Sequence, residues 1–225
     1  MDRYKMEKDM LITIIFLFLS SCSLSSVNPV GTLTGDGGLL TANEYCNPPC
    51  FWGIVPGVTT KSEVVSILKQ NNITHCDNSN KEDIEGIQSI SCSPGPYISF
   101  QQGSDIVDMI SFIPSIEITV EDIVKVRGEP TAISVMVEGM HDLKPYVSMF
   151  LFYDELFTIL YLGQQEGQVY SVEYTSVIKS VIYNDRANYE FRRNGQDIII
   201  WKGYGDYHSL PYIDRKTPNN PINYK

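Results

Sequence analysis

Two short stretches of this chain place apolar residues on one helical face, and around them apolar and polar positions alternate as they do in strands. Thr60-Lys61-Ser62-Glu63 has the form of a capping box, with the threonine oxygen reaching the third backbone N–H and the glutamate reaching back. It opens a helix that carries Val64, Ile67 and Leu68 on one side. Fifty-nine residues on, Thr119 precedes Asp122, and Val120, Ile123 and Val124 supply the stripe. Gly128-Glu129-Pro130 stops that helix, because glycine can take the positive φ of a cap and proline cannot continue the ladder. Tyr97 to Phe100 and Val107 to Phe112 read as strands joined through Gly103, and Ile159 to Leu162 and Val169 to Tyr174 as strands joined through Gly167. Asp154-Glu155 lies between the apolar runs Val147 to Tyr153 and Leu156 to Leu162, where a hairpin turn accounts for the two carboxylates. The pattern predicts an α+β fold of two repeated units, 46–114 and 115–175. Each is a short helix packed on an antiparallel sheet of three or four strands, and the two sheets can join into one. Residues 176–225 follow as a C-terminal extension with an aromatic loop and a frayed tail.

The amino-terminal segment has a different pattern. Met10 to Leu19 is an unbroken apolar run apart from Thr13, shorter than the roughly 20 residues that span a bilayer and of the length of a signal-peptide core. Leu19-Ser20-Ser21-Cys22 follows directly and resembles the lipobox of bacterial lipoproteins. That resemblance implies a signal peptide over 1–21, cleavage before Cys22, and acylation of the Cys22 thiol, so that the chain is held on a membrane outside the cytoplasm. Ser23 to Tyr45 is rich in Ser, Gly, Thr and Asn without apolar periodicity and predicts, with Cys22, a lipidated flexible tether over 22–45.

Composition narrows the choice of partners. The 225 residues carry a net charge of −10, and residues 1–21 hold three basic and three acidic side chains, so their removal leaves that charge unchanged. Such a surface repels phosphate backbones, which excludes nucleic acid and leaves membrane attachment to the lipid. The four remaining cysteines, Cys46, Cys50, Cys76 and Cys92, are an even set in an exported chain and predict two disulfides. Three connectivities are open; short loops favour Cys46 with Cys50 and Cys76 with Cys92. A zinc site using His75 lacks a familiar ligand spacing, and no metal or cofactor is expected.

Pro56-Gly57-Val58-Thr59 leading into the first helix, and Thr119 through Gly128-Glu129-Pro130, resemble the small lipoprotein domains typified by BamE/SmpA and by β-lactamase inhibitory protein. The first helix departs from that pattern, having Lys69-Gln70-Asn71-Asn72 where Gly-x-Pro would stand. The resemblance implies tandem helix-on-sheet units that bind proteins through a sheet face or a loop, without catalysis. Pro48-Pro49-Cys50-Phe51-Trp52-Gly53-Ile54 is further similar to a motif of uncharacterised bacterial lipoproteins, which implies no particular activity.

Read residue by residue, the chain offers little for catalysis. His75, His141 and His208 are far apart, and nucleophile-elbow, Walker, dinucleotide and His-Glu-x-x-His patterns are missing. A Cys50 or Cys76 hydrolase would need a thiolate that disulfide formation removes. Trp201, Tyr204, Tyr207 and Tyr212 form a glycine-spaced aromatic loop that can bind a small ligand or glycan, although Trp201 after Ile198 to Ile200 also fits a core-capping role. Asp185-Arg186 and Arg192-Arg193 read as solvated turn charges. The expectation is a lipid-anchored envelope binding or scaffolding protein that grips a protein partner; a glycan binder is the alternative, and a hydrolase the lesser one.

Overall fold

Both predicted capping boxes form, and each sets where a helix starts. The computed structural model describes residues 35–40, 46–79, 88–141 and 144–209. Helix α1 spans Lys61–Gln70 with Thr60 as its N-cap, and Glu63 accepts from the Thr60 backbone N–H at 2.8 Å. Helix α2 spans Val120–Arg127 with Thr119 as its cap and Asp122 reaching back at 2.9 Å. These hydrogen bonds hold the Glu63 and Asp122 carboxyls below their ordinary values. Gly128 closes α2 at φ of +80°, as its position in the sequence requires. Among the described residues, no helix is long and apolar enough to cross a membrane.

The strands are β1 (Cys76–Ser79), β2 (Gln88–Cys92), β3 (Tyr97–Phe100), β4 (Val107–Phe112), β5 (Ala132–His141), β6 (Lys144–Tyr153), β7 (Thr158–Glu166), β8 (Val169–Val172), β9 (Ser180–Asn184), β10 (Ile198–Ile200) and β11 (Gly205–His208). Nine of them form one antiparallel sheet in the order β1-β2-β3-β4-β9-β7-β6-β5-β10, while β11 and β8 pair separately. Asp154–Leu156 is a turn of 3₁₀ helix joining β6 to β7, as the hairpin reading expects.

Two expectations about the second half are corrected. Val169 to Tyr174 does not complete its sheet: β8 folds onto β11 instead. Strand β9, inside the segment read as a C-terminal extension, pairs instead with β4 on one side and β7 on the other as the central strand of the nine. The backbone contacts around it match those around β4. Lys61 N–H donates to Asp105 and Val107 N–H to Thr59; Val120 N–H donates to Ser176 and Ile178 N–H to Ile118.

One face of the sheet carries the main core. Ile98, Phe100, Ile110, Phe112, Met149, Leu151, Leu160, Val181 and Tyr183 pack with Val64 and Leu68 of α1 and Val120 and Ile123 of α2. Residues 35–40, expected within a tether, are part of this core. Asp36 and Leu39 are 2 % and 1 % exposed, the Tyr183 hydroxyl donates to the Gly37 carbonyl at 3.3 Å, and Arg127 donates to the carbonyls of Leu39 and Gly38 at 2.8 and 3.1 Å. The Asp36 carboxylate caps the turn by accepting from the Gly38 and Leu40 backbones. The segment is thus held by the burial of Leu39 and by hydrogen bonds from a buried tyrosine and an arginine to its backbone, contacts that its glycine-rich composition does not reveal. The rest of the expected tether, and the signal segment 1–21 with Cys22, lie outside the described residues.

Both short-range disulfides are present, Cys46–Cys50 and Cys76–Cys92. Cys76 and Cys92 are direct partners on β1 and β2 with Cα atoms 4.0 Å apart, so the bond fastens the outer hairpin of the sheet. Replacing both by serine is expected to lower the unfolding free energy by roughly 3 kcal/mol, as a loop of this size predicts, read from the urea midpoint. Gly37 supplies a sharper test of the packed amino-terminal turn. It has φ of +61°, and a Cβ there would lie 2.4 Å from the Phe112 ring. Gly37→Ala is expected to cost about 2 kcal/mol or more in urea unfolding, whereas Gly53→Ala, with a positive φ but open space, costs less.

Candidate binding surfaces

The opposite face of the sheet changes character along a single line of partners. Asp77, Ser91, Tyr97, Ser111, Ile182, Ile159, Phe152, Ala132 and Ile200 stand opposite one another from β1 to β10 and therefore share that face. The line is polar up to Ser111 and apolar from Ile182 onward. Helix α3 (Arg186–Asn194) lies on the apolar half: Tyr189 packs with Ala132, Phe152 and Ile159, its ring 6.2 Å from Phe152 and 5.8 Å from Phe157. On the polar half Asp77 and Ser91 are exposed, and Tyr97 and Ser111 half-buried.

Helix α3 corrects the reading of Asp185-Arg186 and Arg192-Arg193 as turn charges. Asp185 is its buried N-cap, accepting from Asn188 N–H at 2.7 Å, and its other oxygen accepts from the Gln101 amide at 2.8 Å. Arg193 and the Tyr189 hydroxyl both donate to Asp154, at 2.8 and 2.6 Å, so the expected turn carboxylate clamps the helix. Burial acts to raise the Asp154 carboxyl, but the bonds from Tyr189, Arg193 and Thr131 outweigh it and hold it below its ordinary value. Arg186 is solvated as expected, but it stands in the first turn of the helix and pairs there with Glu190 on the exposed side. The helix escapes the periodicity argument because a single residue of it, Tyr189, is buried. Asp185, a residue type favoured at the N-cap, was the available signal, a cap without an apolar stripe.

A polar cluster marks the border between the halves. Ser99 stands opposite Met109 and Phe100 opposite Val107, so Asp108 is the extra residue of a β-bulge. Ser99 donates to the Asp108 carboxylate, and the Asp108 carbonyl accepts from the Asp185 backbone at 2.7 Å. Burial raises the Asp108 carboxyl and nearby Asp185 adds to the shift, while the Ser99 hydrogen bond and Arg192 oppose it. Burial in turn lowers Arg192, whose Nε donates to Asn188 at 3.0 Å and whose Nη2 lies 3.0 Å from the Met109 sulfur. Ser99 is only 5 % exposed, too enclosed to attack a substrate. The cluster fixes α3 against the bulge.

The aromatic loop is partly assembled as expected. Trp201 and Tyr207 stack at 5.9 Å with 17° between planes, and Tyr204 meets Trp201 edge-on at 5.9 Å. Trp201, however, is 9 % exposed and faces the main core together with Tyr207, so it caps the core and presents no stacking platform. The Tyr207 hydroxyl accepts from Lys202 N–H and donates to the Gly203 carbonyl, closing the loop on itself. A cleft of about 280 Å³ remains, lined by Lys202, Tyr204, Asp206, Tyr207 and His208. Tyr212 lies outside the described residues. His75 and His208 are exposed, one just before β1 and the other on β11, while His141 ends β5. Among the described residues, no three His, Cys, Asp or Glu side chains form a group able to hold a metal ion.

Comparison with known proteins gives no match to a family model, a curated protein or a solved structure.

The Asp108 environment predicts a pH effect of defined sign. A carboxyl raised in the folded state above its ordinary 3.8 binds protons more readily folded than unfolded, so it costs stability as pH rises through that window. Asp108→Asn removes this cost while keeping an acceptor for Ser99. The variant is expected to be more stable than the parent at neutral pH and to converge with it below pH 3.8, in urea titrations across the range.

Proposed function

We propose that this chain is a lipid-anchored, extracytoplasmic binding or scaffolding module of the bacterial cell envelope, held through Cys22, that grips a protein partner with the polar half of its sheet face. The observation that carries the binding part is the line Asp77, Ser91, Tyr97 and Ser111, which leaves small hydroxyls and one tyrosine accessible beside the stretch from Ile159 to Ala132 that α3 covers. The paired cysteines support an oxidising compartment, in line with the lipobox resemblance.

The same reading makes the fold a duplication of the BamE/SmpA and β-lactamase-inhibitory-protein type. In it, α1 with β1 to β4 corresponds to α2 with β5, β6, β7 and β9. Three observations favour this: the two capping boxes, the matching hydrogen bonds from helix start to strand start, and the pairing of Ser111 with Ile182. Asp105 to Ser176, Val107 to Ile178 and Ser111 to Ile182 share one spacing, so the two last strands meet at equivalent positions. The boundary of the second unit then falls after β9, beyond residue 175. The cleft beside Tyr204 favours a small-ligand reading, but its volume is at the lower limit of ligand sites and Trp201 is turned inward.

Labelling with a palmitate analogue is expected to mark the wild-type protein and spare Cys22→Ser; equal labelling of both would remove the anchor. For the face, Ser91→Arg with Tyr97→Ala is expected to abolish cross-linking to the membrane partner that Tyr204→Ala leaves intact. The reverse pattern would move the binding site to the aromatic loop.

A further inference from the structure

We propose that the loop between β4 and α2 rests on the lipid surface, with Ile113 and Ile116 seated among the headgroups; this inference builds on the lipoprotein reading above. Ile113 is 78 % exposed and Ile116 50 % exposed, although Phe112 and Ile118 on either side are buried. The flanking residues meet the demand of the core, and the two isoleucines are presented outward.

The same loop is where the amino-terminal chain joins the domain. Ser115 N–H donates to the Gly35 carbonyl at 2.8 Å, and a Cβ on Gly35 would lie 2.9 Å from the Ile116 side chain. Only residues 23–34 separate Cys22 from Gly35, and even fully extended they reach no more than about 45 Å. A chain leaving an acylated Cys22 therefore meets the domain at Ile113 to Ile116, at the end of β4 farthest from Val58, which lies by the strand's start through the Gly57 bond to Val107. Net charge of −10 rules out long-range attraction to an anionic leaflet, so contact beyond the anchor has to be apolar. Exposed Glu117, directly after Ile116, keeps the seat shallow, at the headgroup level where one side of an element is apolar and the other charged.

The test is carbene footprinting from the aqueous phase on the full chain, with Cys22 acylation verified by intact mass, free and reconstituted in phosphatidylethanolamine–phosphatidylglycerol vesicles. Labelling of Ile113 and Ile116 is expected to fall several-fold on reconstitution, while Val58, 69 % exposed, keeps its labelling. Cys22→Ser protein mixed with the same vesicles is expected to show a much smaller change. Unchanged labelling at both isoleucines of verified lipidated protein would overturn the docking and leave the anchor standing. Absence of lipid on Cys22 would overturn the anchor and the docking together. A fall that tracks protein concentration without vesicles would assign the patch to a second copy of the chain and overturn the lipid contact.

Discussion

The structure depends on one strand being where it is. β9 enters between β4 and β7, and among the described residues its ladders are what join the strands before α2 to those after it. Its two faces do different work. Val181 and Tyr183 point into the main core, where the Tyr183 ring meets Phe112 at 5.4 Å and its hydroxyl donates to Gly37. Ile182 faces the other way and begins the apolar half covered by α3. Burial pushes the Tyr183 hydroxyl well above its ordinary value, so at neutral pH it is the protonated donor that the bond to the Gly37 carbonyl requires.

That placement explains why the second face is divided. Beyond β9 the paired residues are Ile159, Phe152 and Ala132, an apolar strip that costs free energy in water and is covered at once by the segment that follows β9, through a tight cap at Asp185. Before β9 the same line reads Ser111, Tyr97, Ser91 and Asp77, which has no need of a cover. The border is pinned at the Asp108 bulge, where an acidic side chain accepts the energetic cost of partial burial in exchange for a fixed hydrogen bond from Ser99. The accessible half is thus left over by sequence polarity, and its shape is set by the helix next to it.

Helices α1 and α2 and the hairpins β3–β4 and β6–β7 were legible because each rests on a local code of capping, alternation and turn residues, whereas the strand after Gly167 leaves its neighbour β7 and pairs with β11. Trp201 was legible as a cap on the core for the same reason, following three isoleucines. What escaped depends on distant partners. Ser180-Val181-Ile182-Tyr183-Asn184 alternates, but nothing local says that it belongs between β7, from which one strand separates it in the chain, and β4, from which α2 and four strands separate it. The helix after it shows one buried tyrosine and many charges, and its stability comes from Asp154, Gln101 and Met109, all far away in sequence. Gly35-Asp36-Gly37-Gly38 has the composition of a linker and is fixed by Tyr183 and Arg127, which no composition rule anticipates.

The packed turn changes what the proposed anchor can do. With residues 35–40 in the domain, the chain between Cys22 and the fold is half of what composition alone suggests, and it joins at the end of β4 rather than at an edge strand. In the proposed docking, β4 rises from the lipid at its Phe112 end, and the twist of a nine-stranded sheet turns the outer strands progressively away from that direction. A linker over 23–34 that can extend to about 45 Å does not fix an orientation by itself, so in the proposed docking the contact at Ile113 and Ile116 has to supply it.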